Sequence, residues 1–189
     1  MRGRMTVKQT LIMTSKWACL LLFAGMLTLS AKPDAGPSDP TEYQVKAAYL
    51  VSFARFVTWP QEVKADPFVI GVLGDDPFGP YLDYAVKGKS LNGKRMVVQR
   101  LGRGDQLTKC QVLFIASSEA TRMGQLASDL KGHPVLTVSD FKGFVDQGGM
   151  IGLILKNTQV RFQVNLRPVS ASHLTISSRL LTLAVSVKR

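Results

Sequence analysis

The 189-residue chain is poor in the side chains on which most active sites depend, with only two cysteines and two histidines. Two cysteines exclude a scaffold held by several disulfides, and they are too few for a cysteine-rich zinc site. The histidines, His133 and His173, do not show the spacing of a metal-ligand pair, and no nucleophile-elbow motif occurs in the sequence. We therefore expect no metal, no cofactor and no enzymatic activity.

Acidic residues are also scarce, at 13 Asp and Glu against 24 Lys and Arg, which gives a formal net charge of +11. A positive surplus favours acidic partners or an anionic membrane surface. The basic residues are scattered singly along the chain, so we do not expect a nucleic-acid partner.

The chain has one pronounced apolar run near its start, at residues 17–29, and four basic residues and no acidic residue precede it. Thirteen apolar residues are too few to span a bilayer comfortably, and Ser30 and Ala31 follow as small residues. We interpret residues 1–31 as a signal peptide cleaved near Ala31, with export to the periplasm. An uncleaved N-terminal anchor is the alternative. Cleavage would leave Cys110 as the only cysteine.

The rest of the chain predicts one α/β domain. Residues 32–40 have the composition of a linker, and residues 41–189 form the domain. A first helix is expected from about Pro40 to Trp59, after which buried strands alternate with helices. This alternation predicts a mixed, mostly parallel sheet flanked by helices, a Rossmann-like three-layer architecture. Two strands at 150–155 and 159–166 predict a C-terminal antiparallel hairpin, and a terminal helix is expected at 178–187.

A candidate ligand crevice follows the first predicted long strand. It consists of Gly74, Asp75, Asp76, Phe78 and Gly79, at the carboxyl end of a strand, where open α/β sheets bind their ligands. The glycine spacing fits neither common phosphate-loop fingerprint, and two aspartates would repel a phosphate. The alternative is an ordinary strand-to-helix turn in which Asp76 acts as a cap.

Candidate protein-interface residues lie on the first and last predicted helices, each of which has more apolar positions than one packed face needs. They are Leu50 and Trp59 on the first helix, and Leu181 and Val185 on the last. The hairpin at 150–166 is the alternative surface. Cys110 opens an apolar strand and is expected to be buried, although a neighbouring lysine leaves a redox or intermolecular role open.

Several stretches in fixed order resemble the YfiR family of exported proteins, over roughly residues 42–187. They are KAAYL at 46–50, FARFVTWP at 53–60, IGVLGDDPFG at 70–79, CQVLFI at 110–115, LTVSD at 136–140, GGMI at 148–151, VNL at 164–166 and SRLL at 178–181.

The resemblance implies a periplasmic regulator of cyclic-di-GMP signalling. Such a protein binds the periplasmic sensing domain of a YfiN-type membrane diguanylate cyclase and represses it, which lowers cyclic-di-GMP and biofilm formation. A YfiB-type outer-membrane lipoprotein is implied as a second partner, and a homodimer is expected. Some relatives carry paired cysteines, which a mature chain with Cys110 alone cannot reproduce. A periplasmic sensor that binds a small ligand and acts on another signalling partner is the alternative function.

Overall fold

The computed structural model describes residues 40–60 and 66–189. The predicted signal peptide and the linker before Pro40 lie outside these residues. None of the helices described is long and apolar enough to cross a membrane.

The described residues contain five α-helices and ten β-strands. The helices are α1 (Pro40–Phe56), α2 (Tyr81–Val86), α3 (Met123–Asp129), α4 (Leu166–Ala171) and α5 (Ser178–Leu183). The strands are β1 (Val57–Thr58), β2 (Phe68–Leu73), β3 (Ser90–Leu91), β4 (Lys94–Leu101), β5 (Val112–Ile115), β6 (Leu136–Ser139), β7 (Ile151–Lys156), β8 (Gln159–Asn165), β9 (Thr175–Ile176) and β10 (Ser186–Lys188).

Eight of these strands form one sheet in the order β10-β8-β7-β6-β5-β2-β4-β3. Parallel pairing joins five adjacent strands, which are β7, β6, β5, β2 and β4. The β7–β8 and β3–β4 pairs are antiparallel hairpins. Every residue of β2, β5 and β6 is buried, as expected for parallel strands covered on both faces. The predicted mixed, mostly parallel α/β fold is confirmed.

Helices cover both faces of the sheet, so the architecture has three layers. Along β2, Phe68 and Ile70 belong to the core beneath α1 and α2, whereas Val69 and Leu73 belong to the core beneath α3. This alternation follows from the two-residue period of a strand. The core beneath α1 is the larger, and it includes Phe53 in contact with Phe162 of β8.

Two predicted helices end earlier than expected. α1 ends at Phe56 rather than Trp59, because Val57 and Thr58 pair with β9 instead of continuing the helix. The terminal helix ends at Leu183, and the backbone at Ala184 is extended. Ser186–Lys188 then pairs parallel with β8 as the outermost strand of the sheet. The prediction of helix over 184–187 is therefore wrong, since an open sheet edge captures the end of the chain.

Candidate functional site

The carboxyl ends of the parallel strands form the edge at which such sheets bind ligands. Gly74 follows β2, Ser117 lies just beyond β5, and Asp140 follows β6. The strand order reverses between β2 and β5, because β4 lies on one side of β2 and β5 on the other. This switch point is the expected place for a crevice in a doubly wound sheet.

The switch point is filled by close packing between the two loops. Gly74 has φ +90°, and a Cβ atom there would lie 2.5 Å from Ser118 Oγ and 2.9 Å from Glu119 Cγ. The backbone N–H of Asp75 donates to Ser118 Oγ at 3.0 Å. The loops thus hold one another closed where a ligand would enter.

The remaining residues of the predicted crevice form a turn pinned by Arg100. Asp76 Oδ1 accepts a hydrogen bond from the backbone N–H of Phe78 at 2.7 Å, and Arg100 Nε donates to Asp76 Oδ2 at 2.9 Å. The same guanidinium donates to Asp83 and to the carbonyl oxygen of Gly79. Hydrogen bonding from Arg100 lowers the pKa of Asp83. These contacts match the alternative interpretation, a strand-to-helix turn.

A buried charge cluster joins α1 to the carboxyl end of β6. Lys46, 4% exposed, donates to Asp140 Oδ2 at 2.5 Å and forms an ion pair with Glu42. Tyr43 donates its hydroxyl to the same Asp140 oxygen at 2.8 Å, and Lys46 Nζ lies 4.2 Å from the centre of the Tyr43 ring. Burial alone would lower the pKa of Lys46, but hydrogen bonds to Asp140 and Glu42 raise it. Burial, followed by the charge of Asp140, raises the pKa of Tyr43 to about 12.

The sequence interpretation missed this cluster. Lys46 and Asp140 are 94 residues apart, and a single lysine on a helix ordinarily indicates a solvated face. The one indication in the sequence that Lys46 is buried is its position between Val45 and Ala47, on a helix otherwise rich in apolar residues. Among the described residues, no group of three or more His, Cys, Asp or Glu is placed to hold a metal ion.

The opposite, amino edge of the sheet has a cavity of about 430 Å³ between the end of α1 and the β3–β4 hairpin. Its apolar wall includes Trp59 and Phe68, whose rings meet edge to face at 5.3 Å. Arg55 and Lys94 contribute cationic side chains to the wall. The buried Trp59 Nε1–H has no hydrogen-bond acceptor among the residues that the structure describes. A cavity with these donors fits a small ligand that carries hydrogen-bond acceptors.

Cys110 lies immediately before β5 and is 1% exposed. A Cβ atom on Gly71 of β2 would lie 2.6 Å from Cys110 Sγ. The absence of a side chain at position 71 therefore makes room for the thiol. Burial raises the pKa of the Cys110 thiol to about 11. The neighbouring Lys109 therefore does not activate the thiol, and a redox role for Cys110 remains a prediction.

The predicted interface residues are placed very differently from one another. Leu50 is 0% exposed and belongs to the main core, so the expectation that it lies off the packed stripe is wrong. Leu181 is half-buried against the same core. Val185 is 39% exposed and Leu183 64% exposed, and both lie beside the open edge of β10. The exposed apolar side chains at this end of the chain therefore belong to the last residue of α5 and to the connection between α5 and β10.

The strand order β4-β2-β5-β6-β7, with helices on both faces, defines a doubly wound α/β domain. The chain belongs to the YfiR/HmsC-like family, whose model matches residues 43–185. This is a family of regulatory proteins of periplasmic cyclic-di-GMP signalling rather than of enzymes.

Two solved structures are similar in fold. One is the ABC domain from Streptococcus pneumonia in complex with L-Trp, and the other is a conserved domain protein from Vibrio cholerae O1 biovar eltor. Each gives a TM-score of 0.53 at 11% identity, over 77% and 75% of this chain respectively. The chain spans 60% of the length of each, and at this identity the similarity concerns the fold alone.

Proposed function

We propose that this protein binds the periplasmic sensing domain of a YfiN-type membrane diguanylate cyclase and represses it, thereby lowering cyclic-di-GMP and biofilm formation. The observation that carries the proposal is the family match over residues 43–185. A YfiB-type outer-membrane lipoprotein is the proposed antagonist that removes the repressor from the cyclase.

The proposed contact surface is the β10 edge, defined as residues 183–188. Among the strands that the structure describes, β10 is the last of the sheet, and no other described strand pairs with its outer side. Leu183 and Val185, just before β10, expose apolar surface, and Leu181 packs partly buried against the main core. An open edge with apolar side chains is suited to strand addition by a partner or by a second copy in the expected homodimer.

Deletion of the gene and complementation with variants test the proposal. Deletion is expected to raise cyclic-di-GMP and surface attachment while the cognate cyclase is present, and the wild-type gene restores the low level. Val185→Asp should fold yet fail to restore it. Leu155→Asp is the matched control, because Leu155 is 55% exposed on the β7–β8 hairpin, the alternative surface. A reversed result for the two variants would move the contact to the hairpin, and unchanged cyclic-di-GMP on deletion would contradict repression.

Export is part of the same proposal. A periplasmic repressor requires cleavage of the signal peptide near Ala31, as the basic leader and the apolar run at 17–29 predict. Cell fractionation with N-terminal sequencing of the mature protein is expected to give a periplasmic chain beginning near Lys32. A full-length chain retained in the inner membrane would contradict cleavage.

A second candidate function is a ligand-dependent sensor, favoured by the amino-edge cavity and by the Trp59 Nε1–H, which has no acceptor among the described residues. Cleavage near Ala31 would remove Trp17 and leave Trp59 as the only tryptophan, so its fluorescence reports on the cavity. Titration with a panel of small organic acids should change this emission saturably if the cavity binds them. Trp59→Phe, which retains an aromatic ring without the donor, should weaken binding of any ligand found, as measured by isothermal titration calorimetry, because this variant of the mature chain has no tryptophan. No saturable change across the panel would count against the sensor.

A further inference from the structure

The two faces of the sheet are covered unequally at the β7–β8 hairpin. Among the described residues, the core beneath α3 draws on β2, β4 and β5 but on no residue of β7, β8 or β10. The side of the hairpin that faces away from α1 therefore lies beyond that core. The buried residues of the two strands that belong instead to the core beneath α1 are Ile151, Leu153, Val160, Phe162 and Val164.

The strand register determines which side chains occupy the side of the hairpin away from α1. Lys156 lies opposite Gln159, and Ile154 lies opposite Arg161. Paired residues point to the same face of a sheet, and so does every second residue along a strand, so these side chains share one face. This face, termed the basic sheet face below, extends onto β10 and consists of Ile154, Lys156, Gln159, Arg161, Gln163 and Ser186, all of them exposed or partly buried.

The charged side chains of the basic sheet face are both cations. Residues 147–189 contain no Asp or Glu, so β7, β8 and β10 contribute no acid to the face. Lys156 and Arg161 form no ion pair with any acid among the residues that the structure describes. The Arg161 guanidinium donates instead to the side-chain oxygen of Gln159 and to the carbonyl oxygen of Val160. Both acceptors are neutral, so the charge of Arg161 is not compensated by them.

The segment at 140–146 adds a third cation at the border of the basic sheet face. Lys142 lines a cavity of about 230 Å³ together with Ile154, and it has no ion pair with a described acid. The two acids of the segment already have partners, because Asp140 pairs with Lys46 and Asp146 pairs with Lys188. The three cations of this surface, Lys142, Lys156 and Arg161, are therefore not offset by these acids.

We infer that the basic sheet face binds the headgroups of anionic phospholipids, with the sheet lying flat on the membrane surface. Basic side chains close to an anionic leaflet are attracted to it by their summed charge, without a fixed binding pocket. The amide groups of Gln159 and Gln163 and the hydroxyl of Ser186 can donate hydrogen bonds to phosphate and glycerol oxygens. The lipid is recognised by its negative charge rather than by its acyl chains.

The composition of the face favours a membrane over an acidic polypeptide. Protein interfaces depend on a few buried apolar or aromatic anchors at their centre. Ile154 is the one apolar side chain of the basic sheet face, and it is already partly buried. A plane of headgroups also meets cations that share one face, as Lys156 and Arg161 do. Charge complementarity thus points to an extended anionic surface.

This inference goes beyond the proposed repression of a cyclase, because it concerns a face of the sheet rather than its β10 edge. Binding to vesicles is measured without any cyclase, so a negative result would leave the repression proposal untouched. The two surfaces are compatible in one complex. When a sheet lies flat on a membrane, its edges point sideways, and the β10 edge would then face the periplasmic part of a neighbouring membrane protein.

The test is co-sedimentation of the mature protein, purified from the periplasm so that the basic leader is absent, with vesicles of phosphatidylglycerol and phosphatidylcholine. Binding at low salt should be absent with phosphatidylcholine alone, and it should weaken as salt screens the charges. The double variant Lys142→Glu/Lys156→Glu should lose about tenfold or more in affinity for the mixed vesicles. The control Lys87→Glu/Arg95→Glu has the same net charge, at exposed positions near the β3–β4 hairpin, and should bind within about twofold of wild type. Circular dichroism verifies that both variants are folded.

Three outcomes would overturn the inference. The first is a failure of the wild-type protein to sediment with phosphatidylglycerol vesicles at low salt. The second is an equal loss in the two double variants, which would make net charge the whole cause. The third is binding to soluble polyglutamate that depends on Lys142 and Lys156 and is tighter than binding to the vesicles, which would assign the face to an acidic polypeptide.

Discussion

The two ends of the parallel strands differ in how their charges are used. At the carboxyl edge, charges pair with one another: the buried Lys46 with Asp140, and the exposed Arg100 with the half-buried Asp76. At the amino edge, no described acid forms an ion pair with Lys87, Lys89 or Arg95 around the β3–β4 hairpin, and a cavity lies beside that hairpin. A doubly wound fold ordinarily binds ligands at the carboxyl edge. In this chain the described charges at that edge pair with one another, and we propose that partners bind at other surfaces.

The difference has a physical cause in the loops. Gly74 allows the β2 loop to approach Ser118 closely enough to close the switch point, and Arg100 ties two aspartates into one turn. Charges satisfied internally cannot also bind a ligand without losing their first partners. Lys87, Lys89 and Arg95, which have no ion pair with a described acid, cost little while solvated, and they can attract a complementary surface.

The largest effect is expected at Lys46. Lys46→Met leaves the carboxylate of Asp140, whose side chain is 12% exposed, with Tyr43 as its remaining described side-chain donor, and breaking a largely buried pair typically costs about 3–5 kcal/mol. Chemical denaturation of variant and wild type measures the loss. Arg95→Met is the matched control at the amino edge, because Arg95 is exposed, and it should change stability by less than about 0.5 kcal/mol. Equal losses in the two variants would abolish the distinction between the edges.

Cys110 gives the next largest effect, in alkaline solution. Its folded pKa is about 11, raised by burial from 9.0, so the unfolded chain releases the thiol proton first as pH rises. The free energy of unfolding should therefore fall between about pH 9 and pH 11, by about 2–3 kcal/mol in total from this group. Subtracting the profile of Cys110→Ala isolates this contribution from Tyr43 and Lys46, which also titrate in alkali. Parallel profiles for the two proteins would show that the thiol is not buried as described.

A smaller contrast is expected between two glycines. Both have positive φ, +90° at Gly74 and +79° at Gly93. A Cβ at Gly74 collides with Ser118, whereas a Cβ at Gly93 meets nothing within 4 Å. Gly93→Ala should cost about 1 kcal/mol for the backbone conformation alone, and Gly74→Ala should cost about 1–2 kcal/mol more. Thermal denaturation compares them, and a cost at Gly74 no larger than at Gly93 would mean that the switch point has spare room.

The smallest contrast concerns two exposed arginines. Arg100→Ala removes a guanidinium that joins Asp76, Asp83 and the carbonyl of Gly79, and should cost about 1 kcal/mol. Arg95→Ala should have almost no effect on stability. Urea denaturation at low and high salt should show that the Arg100 contribution shrinks as salt rises. An Arg95 effect as large as that of Arg100 would indicate an internal role for Arg95.

The sequence predicted the fold well where local patterns determine it. The apolar runs predicted β2 and β5, and the short connection at 156–158 predicted the antiparallel β7–β8 hairpin. The alternation of strands with helices predicted the three layers. The errors came from pairing between distant segments. β1 and β10 form because β9 and β8 offer open partners, which no local pattern around Val57 or Val187 reveals. Leu50 was misplaced for a similar reason, since the width of the buried face of α1 depends on the strands and helices packed against it.

The candidate site was predicted less well than the fold. The turn at 74–79 was found, but its closure depends on Ser118, 43 residues away from Asp75. The pairing of Lys46 with Asp140 likewise joins residues 94 positions apart. Periodicity locates strands and helices, but it does not reveal which charges meet across a sheet.

Hydrogen–deuterium exchange on the complex with the periplasmic domain of the cognate cyclase tests the central claim most directly, because it reports on all edges of the sheet at once. The account predicts that binding slows exchange at residues 183–188 of the β10 edge and leaves residues 74–79 unchanged. Protection confined to residues 74–79 and 117–119 would show that the partner enters at the carboxyl edge, and it would contradict the account.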